Sequence, residues 1–190
     1  MVPEPAPPES FTRAIAGVRS VVARPEIALE DAPAPGRLAP HAFAIGGTVT
    51  RGGEEVATGR LIVLCNPAGH DAWAGTLRLV TYVTAELEPE IATDPLLSEV
   101  AWSWLIDALE AHDATYLAPG GTVTTTTTTR FGDLAGAPSA ADVEIRASWS
   151  PADERFAAHM EAWCALLAST AGLPPPGVTA LSGRGATPGA

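Results

Sequence analysis

The stretch AELEPEIATDP, residues 85–95, sets four carboxylates, Glu86, Glu88, Glu90 and Asp94, within nine positions. Carboxylates this close can do general acid–base work or surround a hard cation with oxygen ligands. Arg78, on the strand expected just before them, is the further member of such a small-molecule or metal-dependent site. The same residues have a plainer reading. Asp94-Pro95 supplies an N-cap acceptor followed by proline at the first helical position, and acidic side chains are favourable near a helix N-terminus.

Elsewhere the reactive residue types are sparse. His70-Asp71 offers a base beside a carboxylate, but neighbours in a loop rarely point the same way. His159 has no second metal ligand one helical turn on, so it makes no zinc motif. His112 follows a helix as a solvated C-terminal residue, and His41 precedes a strand. Cys65 and Cys164 each sit among apolar neighbours, in LIVLC and EAWCALL, and read as small buried hydrophobes. Neither a nucleophile elbow nor a dinucleotide-binding glycine turn is present. The expectation is no catalytic residue, no metal ligand and no cofactor.

Composition narrows the classes further. All eleven basic residues are arginine, and the formal charge is −11. Without lysine there is no phosphate-binding P-loop lysine, no Schiff-base amine and no protein-kinase strand lysine. An acidic surface repels phosphate backbones, so no nucleic-acid partner is expected. The longest aliphatic run is Leu61–Leu64, far below the ~20 residues that span a bilayer. MVPEPAPPES has neither a basic nor an apolar signal region, so the expectation is a cytoplasmic protein with no membrane partner.

The candidate groups need elements to position them. Residues 1–8 are half proline and 174–190 are rich in Pro, Gly, Ser and Thr; both read as disordered tails flanking one domain over 9–173. A first helix is expected over 10–23, with Phe11, Ile15, Val18 and Val22 on one face. Residues 25–41 carry four prolines and read as an extended surface segment. Strands follow over 42–50, 57–65 and 76–87, the first two joined by a turn at RGGEE. In the third, Leu77, Leu79, Val83 and Leu87 oppose Val80 and Tyr82; in the second, Ile62 and Leu64 oppose Leu61, Val63 and Cys65. The centre of the sheet is therefore apolar on both faces, and both need cover.

A second helix follows Asp94, with a stripe of Leu96, Leu97, Val100, Ala101, Trp104, Leu105, Ala108 and Leu109. Trp102 and Ile106 fall beside that stripe. Trp102 is the best interface candidate, because Trp is enriched at binding hot spots. The run Thr124–Thr129 is β-branched throughout and reads as a strand near a sheet edge. It alternates Val123, Thr125 and Thr127 against Thr124, Thr126 and Thr128, and it matches a partner strand at DVEIRASW. Ser150-Pro151-Ala152-Asp153 resembles a capping box opening a last helix, with Phe156, Met160, Trp163, Leu167 and Ala171 on its core face. The expected fold is α+β, a five-stranded, mainly antiparallel sheet in the order α-β-β-β-α-β-β-α. That order resembles type III secretion chaperones, an analogy of elements alone.

The run from ATGRLIVLCNPAGHDAWAG through DPLLSEVAWSWLIDAL, with RLAPHAFA before it and EIRASWSP and HMEAWCALLASTAGLPP after it, resembles an actinobacterial family of unknown function, DUF3000, over about residues 9–175. The resemblance implies a cytoplasmic bacterial protein and carries over no catalytic residue. A two-sided apolar sheet without catalytic motifs leads to a functional expectation of a non-enzymatic binding or adaptor protein, held to a protein partner or to itself as a homodimer.

Overall fold

A computed structural model describes residues 6–135 and 140–176, and of Pro89 and Glu90 the backbone alone. Most of the expected tails, 1–5 and 177–190, lies outside the described residues. Pro174 is held: its carbonyl accepts a hydrogen bond of 2.9 Å from Arg24 Nη1.

The elements are α1 (Glu9–Arg19), β1 (Ile27–Ala32), β2 (His41–Arg51), β3 (Glu54–His70), β4 (Gly75–Leu87), α2 (Pro89–Ala92), α3 (Leu97–Ala111), β5 (Tyr116–Thr128), β6 (Ala140–Pro151) and α4 (Phe156–Thr170). The α+β class holds. The sheet, however, has six strands rather than five, in the order β1-β2-β3-β4-β6-β5, with every neighbouring pair antiparallel. The order α-β-β-β-α-β-β-α thus gains a strand near its start and the short α2. The added strand is β1, inside the segment read as a surface extension. Its prolines, Pro25 and Pro33, stand just outside Ile27–Ala32 and leave six residues with free N–H groups to pair with β2.

Helix α1 also ends earlier than its apolar pattern. It stops at Arg19, and Val22 is 93% exposed instead of lining the buried face of Phe11, Ala14 and Val18. The β2–β3 turn falls at Gly52-Gly53, with φ of 63° and 90°, the paired positive values that two-residue hairpins demand. Strand β3 runs on past the expected end at Cys65 to His70, with its register against β4 shifting after Cys65.

All three long helices lie on one face of the sheet. Helix α4 is the centre of that layer, packed between α1 and α3 and over β2, β3, β4 and β6. Eleven of its fifteen residues are buried, so it has almost no wet side. Beneath it, cross-strand partners Gly47 and Gly59 make room: a Cβ on either would stand 2.7 or 2.6 Å from Leu167 and within 3.1 Å of the Trp163 ring. The indole N–H of Trp163 donates to Thr81 Oγ1 at 2.7 Å, satisfying both groups inside the core. The expected capping box does not form. Ser150 belongs to β6 and is buried, and Asp153, three residues before the helix starts at Phe156, accepts from the Arg155 backbone N–H at 2.9 Å.

Candidate functional site

Antiparallel register assigns every side chain to a face. The rows beneath the helices are apolar: Phe43, Val63, Leu79 and Trp149 in one, and Ile45, Leu61, Thr81 and Ala147 in another. The rows on the opposite face run Ala44, Ile62, Val80, Ser148 and then Arg60, Tyr82, Arg146, Thr122. Among the described residues no helix covers this second face. It is part aliphatic and part charged.

One end of that face is closed within the subunit. Ala44 is fully buried, Leu64 is 4% exposed, and the Arg60 guanidinium reaches back to donate to the Pro33 carbonyl. The centre stays open: Ile62 and Val80 are half-buried and Tyr82 is 39% exposed. With Arg146, Ser148 and Thr122 they line a shallow depression of about 410 Å³. Tyr82 is fixed there. Its hydroxyl donates to Glu144 Oε2 at 2.9 Å, Arg146 Nε donates to Glu144 Oε1 at 2.6 Å, and the Arg146 guanidinium lies 5.2 Å from the Tyr82 ring centre. The hydrogen bond to Glu144 holds the Tyr82 phenol above its usual pKa, while bonds from Arg146 and then Tyr82 hold Glu144 below its own. This group sets an aromatic ring between opposite charges at the surface of the sheet.

Arg78 is on the same face but buried, 8% exposed. It donates to Ser150 Oγ at 3.2 Å and Ser148 Oγ at 2.9 Å, and burial lowers its pKa. Glu86 sits eight residues along β4, roughly 26 Å away at ~3.3 Å per residue, opposite Asp142 of β6. The structure therefore does not bring Arg78 to the carboxylates. Glu88 is exposed where α2 begins, its carbonyl accepting from the N–H groups of Ile91 and Ala92, and the side chain of Glu90 lies outside the described residues. Asp94 accepts the Leu96 N–H at 2.9 Å in a turn just ahead of α3. The N-cap position itself is Leu96, with no side-chain cap, so the expected capping by Asp94 is displaced into the preceding turn. Among the described residues no three His, Cys, Asp or Glu side chains gather as a metal-binding group.

Trp102 and Ile106 are both half-buried on α3. The Trp102 ring lies over Gly121 of β5, where an added Cβ would stand 2.9 Å from Cζ3. The helix buries Leu97, Ala101, Leu105, Ala108 and Leu109, but Leu96 and Val100, assigned to the same stripe, are 55% and 42% exposed. The stripe is narrower than its spacing suggested because α3 caps one end of the helix layer and has a neighbour on one side only. Cys65 and Cys164 are buried free thiols, and burial pushes Cys164 up to about 12. His159, between Phe156 and Trp163 on the packed surface of α4, is fully buried; its Nδ1 accepts from the Trp149 indole N–H at 3.1 Å. Its spacing from those two core residues was the available signal. The Tyr82–Glu144–Arg146 group carries no such signal, since it joins two strands 62 residues apart and needs the register.

The family model described as "Protein of unknown function (DUF3000)" matches residues 7–179, most of the chain. The chain belongs to this family. The match takes in every element of the fold, from α1 to the end of α4. No curated protein and no solved structure matches the chain. No helix is long and apolar enough to cross a membrane among the described residues.

Proposed function

We propose that this member of the family is a non-enzymatic binding protein of the actinobacterial cytoplasm, acting through protein–protein contacts and associating with itself as a homodimer. One observation supports this reading above the others. Among the described residues no helix lies over one face of the six-stranded sheet, and its centre keeps Ile62, Val80 and Tyr82 at the surface. Aromatic and arginine side chains held by neighbours present contact area at low entropic cost, which is what binding surfaces use. The half-buried Trp102 flank adds a second apolar patch on the other side of the sheet.

Cross-linked affinity capture from native cells, run in parallel with wild-type protein and an Ile62→Asp/Tyr82→Asp variant, tests the partner role. The expected result is a partner retained by wild type and lost by the variant, with both proteins melting cooperatively. Identical captured sets would overturn the face as the binding surface.

A further inference from the structure

The two edges of the sheet are treated differently. Edge strands expose unpaired N–H and C=O groups, and proteins blunt them with shortness, charge or proline. Strand β1 uses all three: it is six residues long, carries Glu30 and Asp31, and stands between Pro25 and Pro33. Asp31 is further engaged by Arg19.

Strand β5 uses none of them over its regular part. After a register shift between Leu117 and Gly120 it pairs evenly with β6 from Gly120 to Thr128, and among the described residues its only sheet neighbour is β6. Among the described residues no other backbone group bonds to that stretch. From Tyr116 to Thr129 there is no charged side chain, in a chain of net charge −11. Pro119 lies before the even stretch and Arg130 after it.

We infer that β5 is the homodimer edge: two copies pair β5 to β5 antiparallel about a two-fold axis near Thr125, joining two six-stranded sheets into one. This deepens the self-association half of the proposed function and rests on it. The choice of a second copy follows from charge and from self-complementarity. Two chains of −11 repel, so a surface without charge is where close approach costs least, and this strand is such a surface. About Thr125 the pairing sets Thr124 against Thr126, Val123 against Thr127 and Thr122 against Thr128. β-branched residues thus face one another throughout, the kind of cross-strand pair that stabilises sheets. A slip of two positions keeps Thr opposite Thr on the same face, whereas a slip of one would turn the two helix layers to opposite sides of the sheet. The joined sheet would continue beneath the Trp102 side of α3, whose groove already includes Gly121 and Val123, and it would leave the open faces of both copies free for a partner.

Sedimentation equilibrium of the full chain gives the test, with Thr124→Lys/Thr126→Lys as the main variant. Those positions pair with Glu144 and Asp142 of β6, so lysine there suits the single subunit while setting like charges against each other across the axis. The expected result is a mass rising from 19.5 kDa toward twice that with concentration for wild type, and a strict monomer for the variant with an undiminished circular dichroism spectrum. A single cysteine at Thr125, the position that faces its own copy across the axis, supplies an independent measurement. Facing Cα atoms in antiparallel pairs are ~4.5–5.5 Å apart, within disulfide reach, and Cys65 and Cys164 are buried. Oxidised dimer should form there and not at a Leu29→Cys control on β1. A wild-type dimer unaffected by the lysines and no more cross-linked at β5 than at β1 would overturn the edge while leaving self-association standing. A strict wild-type monomer would overturn both.

Discussion

His159 shows how one buried side chain sets a pH dependence for the whole domain. Its ring is sealed in the core, and desolvation lowers its pKa from 6.5 to about 4, with Asp153 opposing and Arg155 assisting. Nδ1 accepts from Trp149, so the neutral ring carries its proton on Nε2, which has no partner among the described groups. The unfolded chain takes up the proton near 6.5 and the folded one does not. Stability is therefore complete above 6.5 and declines as pH falls toward 4, by on the order of 3 kcal/mol. His159→Gln keeps an acceptor for Trp149 and does not titrate. Urea midpoints measured from pH 7 to pH 4.5 should fall less steeply in the variant than in wild type; parallel slopes would show that another group carries the effect. At this scale the sequence was informative where a residue's role is set by its chain neighbours, as with Gly52-Gly53 in the turn between β2 and β3. It was silent where partners come from other strands, as with Arg78, which was grouped with carboxylates it does not meet.

The elements were legible wherever the period of apolar residues was undisturbed. Strands β2, β3, β4 and β6 and the Thr strand were read with the correct faces, because alternation assigns faces without any knowledge of neighbours. The failures have physical causes. Prolines hid β1, although a proline beside a short edge strand costs no ladder bond. The apolar residues after Arg19 extended α1 on paper, but the chain turns away before Val22. Close approach between layers was also invisible, and it rests on absent side chains. Gly59→Val would drive a branched side chain into Leu167 and Trp163, and overpacking of this kind costs about 1–3 kcal/mol. Chemical denaturation should show that loss in full, whereas the same change at Gly75, where an added Cβ meets nothing within 4 Å, should leave the midpoint almost unmoved.

For the molecule as a whole, charge and the sheet edge act against each other. A dimer would gather a formal charge of −22, twice the −11 of one chain, around an interface with no ion pairs of its own. Salt shortens the Debye length from ~30 Å at 0.01 M to ~10 Å at 0.1 M, so it should weaken the repulsion and leave the backbone pairing intact. The dissociation constant is expected to fall as sodium chloride rises over that range. A constant that rises instead would point to an interface built on opposite charges, at odds with an uncharged strand.

Helix α4 is the last element among the described residues and packs against α1, α3 and the four strands β2, β3, β4 and β6. A polypeptide leaving the ribosome would complete all six strands while the greasy side of its sheet still lacked a lid, since Trp163, Leu166 and Leu167 follow the last strand in the chain. The interval before that segment arrives is when the nascent protein is most exposed to wrong contacts, and an uncapped threonine edge is already in place by then.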